Sequence, residues 1–300
     1  MIAPHAHAAK DTSASEGRGN LGAAPVRGST RVTDIRPSRG WASLRLGELW
    51  AHRELVYFLT WRDIKVRYKQ TVLGVAWAVL QPIASMLVFT LIFGRLARLP
   101  SDGIPYSLFA LTGLVPWTFF ANGLGQASAS IVTNQHLVTK VYVPRLAIPL
   151  ASVLAGLLDL AIAGIVLALA MLYGGRVPDA SALWIVPLSL LAAIATLGAG
   201  LWLAALNVRY RDVKFVVPFL VQLWLFATPI VYPTSLLDPR WRAAYAVNPM
   251  VGVVEGYRWA LFGGAAPTTL IGPSILGALV LLGTGALYFR RVERTFADVV

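Results

Sequence analysis

The sequence predicts an all-α polytopic membrane protein of six transmembrane helices, with an amphipathic helix ahead of the first span and a short helical segment between spans five and six. Three observations carry that prediction. Hydrophobic residues make up 57% of the 300 and charged residues only 13%, against the roughly one-quarter charged fraction of a soluble domain. Six stretches are long and apolar enough to cross a hydrocarbon core of about 30 Å at about 1.5 Å per helical residue. Finally, Arg62, Lys65, Arg67 and Lys69 run without a break into residues 71–94, which hold no charged side chain. Such a basic flank stays on the cytoplasmic side of the span it precedes.

In chain order, residues 1–40 are rich in Ala, Ser, Gly, Arg and Pro. They hold too few large apolar side chains to bury and are predicted to be a disordered cytoplasmic tail. They contain no apolar run of about 7–15 residues, so they do not read as a signal peptide. Within 41–70, Leu46, Leu49, Trp50, Tyr57, Trp61, Ile64 and Tyr68 recur at three-to-four spacing, with Arg53, Arg62, Lys65 and Lys69 on adjoining faces. Aromatics mixed with cations suit a helix in the bilayer interface, although the same stripe would serve a soluble helix packed on a partner. Residues 71–300 hold the six spans, at 71–94, 105–130, 146–173, 181–206, 213–232 and 268–289. With the N-terminus inside, 20 of the 26 Lys and Arg fall on inner segments, and without the tail the division is still 14 to 6. Both termini are therefore predicted to be cytoplasmic. The connection between spans five and six begins as a turn-rich loop over 232–242. Residues 249–262 then carry Val251, Val254, Tyr257 and Leu261 at helical spacing, and Glu255 and Arg258 are placed to pair on one face. This segment reads either as a short helix dipping into the outer leaflet or as a helix on the surface.

The net charge of +12 sits in tails and short loops rather than on one folded surface, so nucleic acid is not an expected partner. With no cysteine and four histidines, of which His5 and His7 lie in the tail, neither thiolate chemistry nor a metal site is expected. There is no phosphate-cradling glycine loop, HExxH or GxSxG, and no catalytic residue is assigned. Asp159 is the one carboxylate near the middle of a predicted span. It reads either as a functional group or as a hydrogen-bonded tie between helices, and the lack of a visible intramembrane partner favours the tie.

Two spans carry polar stripes. Thr118, Asn122, Gln126 and Ser130 recur every fourth residue in the second span, as do Trp77, Gln81 and Ser85 in the first. Aromatics accompany them, including Trp117, Phe119 and Phe120 in the second span and Phe215, Phe219, Trp224 and Phe226 in the fifth. Sugar rings combine apolar C–H faces with hydroxyl rims, so a path of aromatic and amide groups suits a sliding saccharide. Trp77, Gln81, Ser85, Trp117, Phe120, Asn122, Gln126, Phe219, Gln222 and Phe226 are the candidate path residues. Interfacial belts and ordinary helix packing use the same residue types.

Four stretches in order carry a resemblance: RDIKVRYKQTVLGVAWAVLQP at 62–82, TNQHLVTKVYVPRLAIP at 133–149, NVRYRDV at 207–213 and RVERTFADVV at 291–300, with ATPIVYP at 227–233 and NPM at 248–250 in support. Together they resemble the permease subunit of type-2 ABC transporters that export polysaccharides such as O-antigen, teichoic acid, capsule and galactan. The resemblance covers about residues 45–300 and leaves out the tail. It implies a homodimeric channel in the bacterial inner (cytoplasmic) membrane that moves a lipid-linked polysaccharide, each copy binding a separate ATPase. No cofactor is then expected in this chain, ATP and Mg being bound by the partner. It further implies that the amphipathic helix is an interface helix and that Asn134, Leu137, Lys140, Val141, Pro144, Arg145, Arg209, Arg211 and Asp212 lie in loops that couple to the ATPase. The segment between spans five and six, with Pro249, Glu255, Tyr257 and Arg258, is implied to form outer gate helices. The residues themselves add that Asn134 can cap a helix over 134–142 and that Leu137 and Val141 share one face of it. Two other functions are weighed: an exporter of a drug or small lipid in the same superfamily, and a membrane-embedded enzyme acting on a lipid-linked sugar. The enzyme would need acidic residues gathered at a membrane face, whereas Asp102, Asp179, Asp238 and Glu255 are widely separated.

The topology is testable with single cysteines in a chain that has none. Asp102→Cys and Asp238→Cys are expected to react with an impermeant maleimide from outside, and Lys140→Cys and Arg211→Cys only after the inner face is opened. Labelling of position 211 in intact cells contradicts the six-span arrangement.

Overall fold

The computed structural model describes residues 46–69, 74–140, 143–210, 212–293 and 296. The tail predicted for 1–40, and the join between the basic segment and the first span at 70–73, fall outside the described residues. Every regular element among the described residues is helical. In order these are α1 (Leu46–Ala51), α2 (Arg53–Lys69), α3 (Gly74–Phe89) continuing as a π-helical stretch (Thr90–Leu96), α4 (Tyr106–Thr133), α5 (Gln135–Lys140) and α6 (Ala147–Tyr173). A 3-10 turn (Ala180–Trp184) leads into α7 (Ile185–Arg209), followed by α8 (Val213–Phe226), α9 (Pro239–Tyr245), α10 (Pro249–Phe262) and α11 (Thr268–Glu293).

Five of the six predicted spans are long, apolar helices, ending at Leu96, Thr133, Tyr173, Arg209 and Glu293. The fifth is not. Its helix α8 stops at Phe226 after 14 residues, about 21 Å of rise and too short for a hydrocarbon core of about 30 Å. Pro229 is the reason, because its ring disfavours helix at the residue before it and it has no N–H to continue the ladder. Asn248 then takes up the loose end, its Nδ2 donating to the Ala227 carbonyl at 2.9 Å. Thr228, Ile230 and Val231 beyond the break are buried, and non-helical backbone is tolerated at membrane depth when protein covers it.

α4 is the axis of the bundle. In its apolar stretch 78% of residues are buried within the chain, against 6% for the first span, and it packs on α3, α6, α7 and α10. Two apolar clusters lie along it. One joins Leu111, Leu114 and Phe120 of α4 to Leu160 and Leu167 of α6, Leu188 and Leu191 of α7, and Val253 and Val254 of α10. The other gathers one end of the bundle: Ile131, Ile148, Leu201 and Phe289, with Val138 of α5 and Val56 and Leu59 of α2. This is the end that the basic residues assign to the cytoplasm.

Two expectations change in detail. The amphipathic helix predicted within 41–70 is divided by a turn at His52. Its aromatic stripe also faces outward, for Trp50, Tyr57 and Trp61 are exposed while Val56 and Leu59 make the buried contact. The bundle is met by the slimmer aliphatic side, which lets α2 lie closely along α6, and the bulky aromatics are left for the surroundings. The segment after span five forms helix α10, packed inside the chain. Asn248 Oδ1 accepts from the Met250 amide at 3.1 Å, Pro249 occupies the first turn, and ten of the fourteen residues of α10 are buried.

Close backbone approach holds α11 in place. A Cβ at Gly285 would lie 2.3 Å from the Gly198 carbonyl oxygen of α7, whereas one at Gly283 would meet nothing within 4 Å. Gly285→Ala is therefore expected to destabilise the purified protein by about 1–3 kcal/mol. Gly283→Ala is expected to be neutral or stabilising by up to about 1 kcal/mol. Denaturant unfolding in mixed micelles reads the difference, and equal effects contradict the packing.

Candidate functional site

The fourfold polar spacing on α4 becomes one wall of a cavity. Thr118, Asn122 and Gln126 line a space of about 600 Å³ together with Trp77 and Gln81 of α3, Asp159 of α6, and Arg67 and Tyr68 from the end of α2. Phe119 and Leu160 supply apolar wall, and Gly123 and Gly156 also line the space. Ser130, the fourth member of the ladder, is not part of it. It is buried and its hydroxyl donates to the Ala127 carbonyl at 2.8 Å, because a four-residue step overshoots a full turn of about 3.6 residues and the ladder drifts round the helix. Ser85 is likewise absent from the lining.

Asp159 has a partner that the sequence did not reveal. The Arg67 guanidinium donates to Asp159 Oδ2 and to Gln126 Oε1, and the Tyr68 hydroxyl donates to Asp159 Oδ1. The expectation of a carboxylate without an intramembrane cation is thus corrected. Arg67 is 92 residues away in sequence, and only the course of α2 along α6 brings it there. Val56 and Leu59 sit in the cluster around Leu146 and Ala151, and Arg67 and Tyr68 reach the middle of α6 further along. One cation and one carboxylate leave the cavity without net charge, while Thr118, Gln81 and Asn122 line it without joining this network.

The remaining predicted path residues lie elsewhere. Trp117 and Phe120 are 4% and 0% exposed and do not line this cavity. With Thr118, Asn122 and Gln126 turned to the cavity, Trp117 and Phe120 point into the bundle core. There Phe120 packs edge-on against Trp224 at 4.8 Å between ring centres. Phe219, Gln222 and Phe226 are on the exposed face of α8, where Val217 alone is buried, and do not line the cavity. Arg67, Tyr68 and Phe119 line it without having been assigned to the path. The signal for Phe119 was its place beside Thr118 on the polar face, and Arg67 had none beyond its position in the basic flank.

At the opposite end, the predicted Glu255–Arg258 pair forms at 2.9 Å. Arg258 is 5% exposed, lies 3.5 Å from the centre of the Phe109 ring and donates to the Ile230 carbonyl at 3.1 Å. It therefore holds α10 to α4 and to the turn after α8. Tyr257 is buried with its hydroxyl 2.5 Å from Ser189 Oγ, and Pro249 opens the helix. Outside the spans, burial and the Tyr232 hydroxyl at 2.6 Å push the Tyr245 phenol above its usual range. The Ser181 hydroxyl and amide hold the Asp179 carboxyl below its own.

In the predicted coupling loops, Asn134 does not cap α5. Its Nδ2 donates to the Ser130 carbonyl at 2.8 Å and so closes the end of α4. Leu137 is half-buried on the inner cluster, where Val138 rather than Leu137 is the fully buried anchor. Lys140 ends α5, while Val141 and Arg211 fall outside the described residues. Pro144 starts the turn into α6, its carbonyl accepting from Ala147 at 2.8 Å. Arg145 is engaged within the chain, bonded to the Glu293 carbonyl and 5.9 Å from the Phe296 ring. Arg209 lies over Tyr210 at 5.4 Å, and Asp212 is exposed at the start of α8. Among the described residues, no three His, Asp or Glu side chains gather as metal ligands.

A family model described as ABC-2 type transporter matches residues 54–262. An O-antigen export system permease protein RfbA from Myxococcus xanthus is 31% identical over 258 residues, 84% of this chain and 98% of its own length. Its counterpart from Klebsiella pneumoniae is 28% identical over 249 residues, 82% and 95% of the two chains. The polysialic acid transport protein KpsM of Escherichia coli is 26% identical over 204 residues, 68% and 79% of the two.

The network around Asp159 predicts strong coupling between its members. Each side chain of the ion pair is about a quarter exposed, so loss of one partner is expected to cost about 1–3 kcal/mol rather than the full penalty of a buried charge. Arg67→Gln and Asp159→Asn are each expected to destabilise, and the double variant to cost less than their sum. A denaturation cycle in micelles in which the two effects simply add contradicts the pairing.

Proposed function

Because the chain belongs to the ABC-2 type transporter family, as a transport subunit rather than an enzyme, we propose that it is the channel-forming permease of an exporter of a lipid-linked polysaccharide in the bacterial cytoplasmic membrane. Permeases of this family pair with ABC ATPase subunits. Here two copies of the chain form the channel and each carries one ATPase, which binds the ATP and Mg. The membrane-embedded enzyme weighed above does not fit a family of transport subunits.

The cavity between α2, α3, α4 and α6 carries the reading. It is walled by Trp77 and Phe119, edged by the Gln81 and Asn122 amides and the Thr118 hydroxyl, and without net charge. A saccharide passing such a surface stacks its C–H faces on rings and exchanges hydroxyl bonds with amides, so that many weak contacts replace one deep trap. A drug or small lipid would be served by an apolar cavity and gain nothing from the amides. The relatives named for O-antigen and polysialic acid support the same choice. Outer gate roles for Pro249, Glu255, Tyr257 and Arg258, and coupling roles for the loops at α5 and between α7 and α8, belong to this proposal. Force from an ATPase would enter where α5 seats Val138 in the inner cluster.

Trp77→Ala and Asn122→Ala are expected to lower polymer export roughly tenfold, the equivalent of about 1.4 kcal/mol each. Membrane insertion, ATPase binding and basal ATP hydrolysis should stay near those of the unaltered complex. Export measured as polymer at the cell surface checks the reading, and normal export by both variants removes the cavity from the path.

A further inference from the structure

α2 turns its Val56 and Leu59 side to the bundle and leaves a different side open. There Phe58, Trp61, Arg62, Lys65, Val66 and Lys69 enclose a groove of about 270 Å³. Its walls are apolar and uncovered, since Phe58 and Val66 are 65% and 60% exposed. Its charge is all of one sign. Arg62 is satisfied by Asp63 at 2.7 Å, whereas Lys65 and Lys69 stand one turn apart and no carboxylate lines the groove. Like charges at this spacing repel in an isolated helix. Lys65 Nζ lies 5.4 Å from the centre of the Trp61 ring, so the ring and the ammonium address the same space.

We propose that this groove binds the phosphate headgroup of an anionic phospholipid of the cytoplasmic leaflet. The two ammonium groups, that of Lys65 reaching back towards Trp61, meet the phosphate oxygens, and Val66 faces the glycerol and the upper acyl chain. Lysine stems lie along apolar surface with their heads at the polar boundary, and tryptophan favours the same depth. A lipid fits better than a protein partner for two reasons. The open aromatic surface continues along the helices to Tyr57 and Trp50, and the first span that follows is itself largely uncovered, with Leu80, Leu87 and Leu91 exposed. The site also has a consequence. Arg67 and Tyr68 follow Val66 directly and hold Asp159 in the cavity, so a lipid on the outer side of α2 steadies the helix whose inner side closes that space. This inference does not depend on the nature of the exported molecule.

The full chain in complex with its ATPase, purified in neutral detergent, is titrated with phosphatidylglycerol or with phosphatidylcholine. Bound lipid is counted by native mass spectrometry, and the unfolding midpoint is followed in parallel. Phosphatidylglycerol should bind and raise the midpoint of the unaltered protein, and phosphatidylcholine should do neither. Lys65→Gln with Lys69→Gln should weaken phosphatidylglycerol binding about tenfold, and Lys65→Arg with Lys69→Arg should preserve it. Equal binding of the two lipids by the unaltered protein overturns the proposal, and this test stands even if the glutamine variant does not fold. Undiminished phosphatidylglycerol binding by a folded glutamine variant overturns it too. If that variant instead sheds the ATPase with its lipid count unchanged, the groove is a protein-docking surface and the proposal fails.

Discussion

A carboxylate in the middle of a membrane helix is costly unless something answers its charge, and the bond between Arg67 and Asp159 is that answer here. Much else depends on it. To reach Asp159, α2 must run along α6 rather than away from it, and its last turn must come between α4 and α6. Once there, the guanidinium also takes Gln126 and the neighbouring Tyr68 takes the second carboxylate oxygen. All four side chains are bonded, the condition under which a polar network steadies a structure rather than weakening it. The cavity is what remains in front of this network once α3 has packed on α4 and α6.

The other end of the bundle solves a related problem with a second arginine. α8 is too short to cross and ends in exposed carbonyl groups, which cannot be left unpaired away from water. Asn248 and Arg258, from the far side of the connection, supply the missing donors to Ala227 and Ile230. Arg258 is in turn balanced by Glu255 and faced by the Phe109 ring. The short span and the buried helix α10 are therefore one construction, since neither end would be satisfied without the other.

Between these ends, the chemistry of α4 follows from helical register. Positions 118, 122 and 126 share a side and carry a hydroxyl and two amides, and Trp117, Phe120 and Leu124 take the opposite side and fill the core. One helix thus presents a wet face to the cavity and a dry face to α6, α7 and α10. Moving either set by one residue would bury the amides and expose the rings.

The spans, the polar ladder on α4 and the Glu255–Arg258 pair were legible in the sequence because each is local. Spans show as runs of apolar residues, and a ladder or a pair on one helix is settled by spacing within a few residues. Tertiary structure alone decided the rest. Nothing near Arg67 or Asp159 in the chain points from one to the other, and which side of α4 or α2 meets the bundle depends on what the neighbouring helices offer. The fifth span looked continuous because its residues are apolar throughout, but its helix ends where Pro229 interrupts the ladder and a distant Asn248 can satisfy the end. Composition and periodicity determine that helices cross and which faces differ. Pairing across long separations, driven by the cost of leaving a charge or a carbonyl unanswered, determines how they are assembled around the cavity.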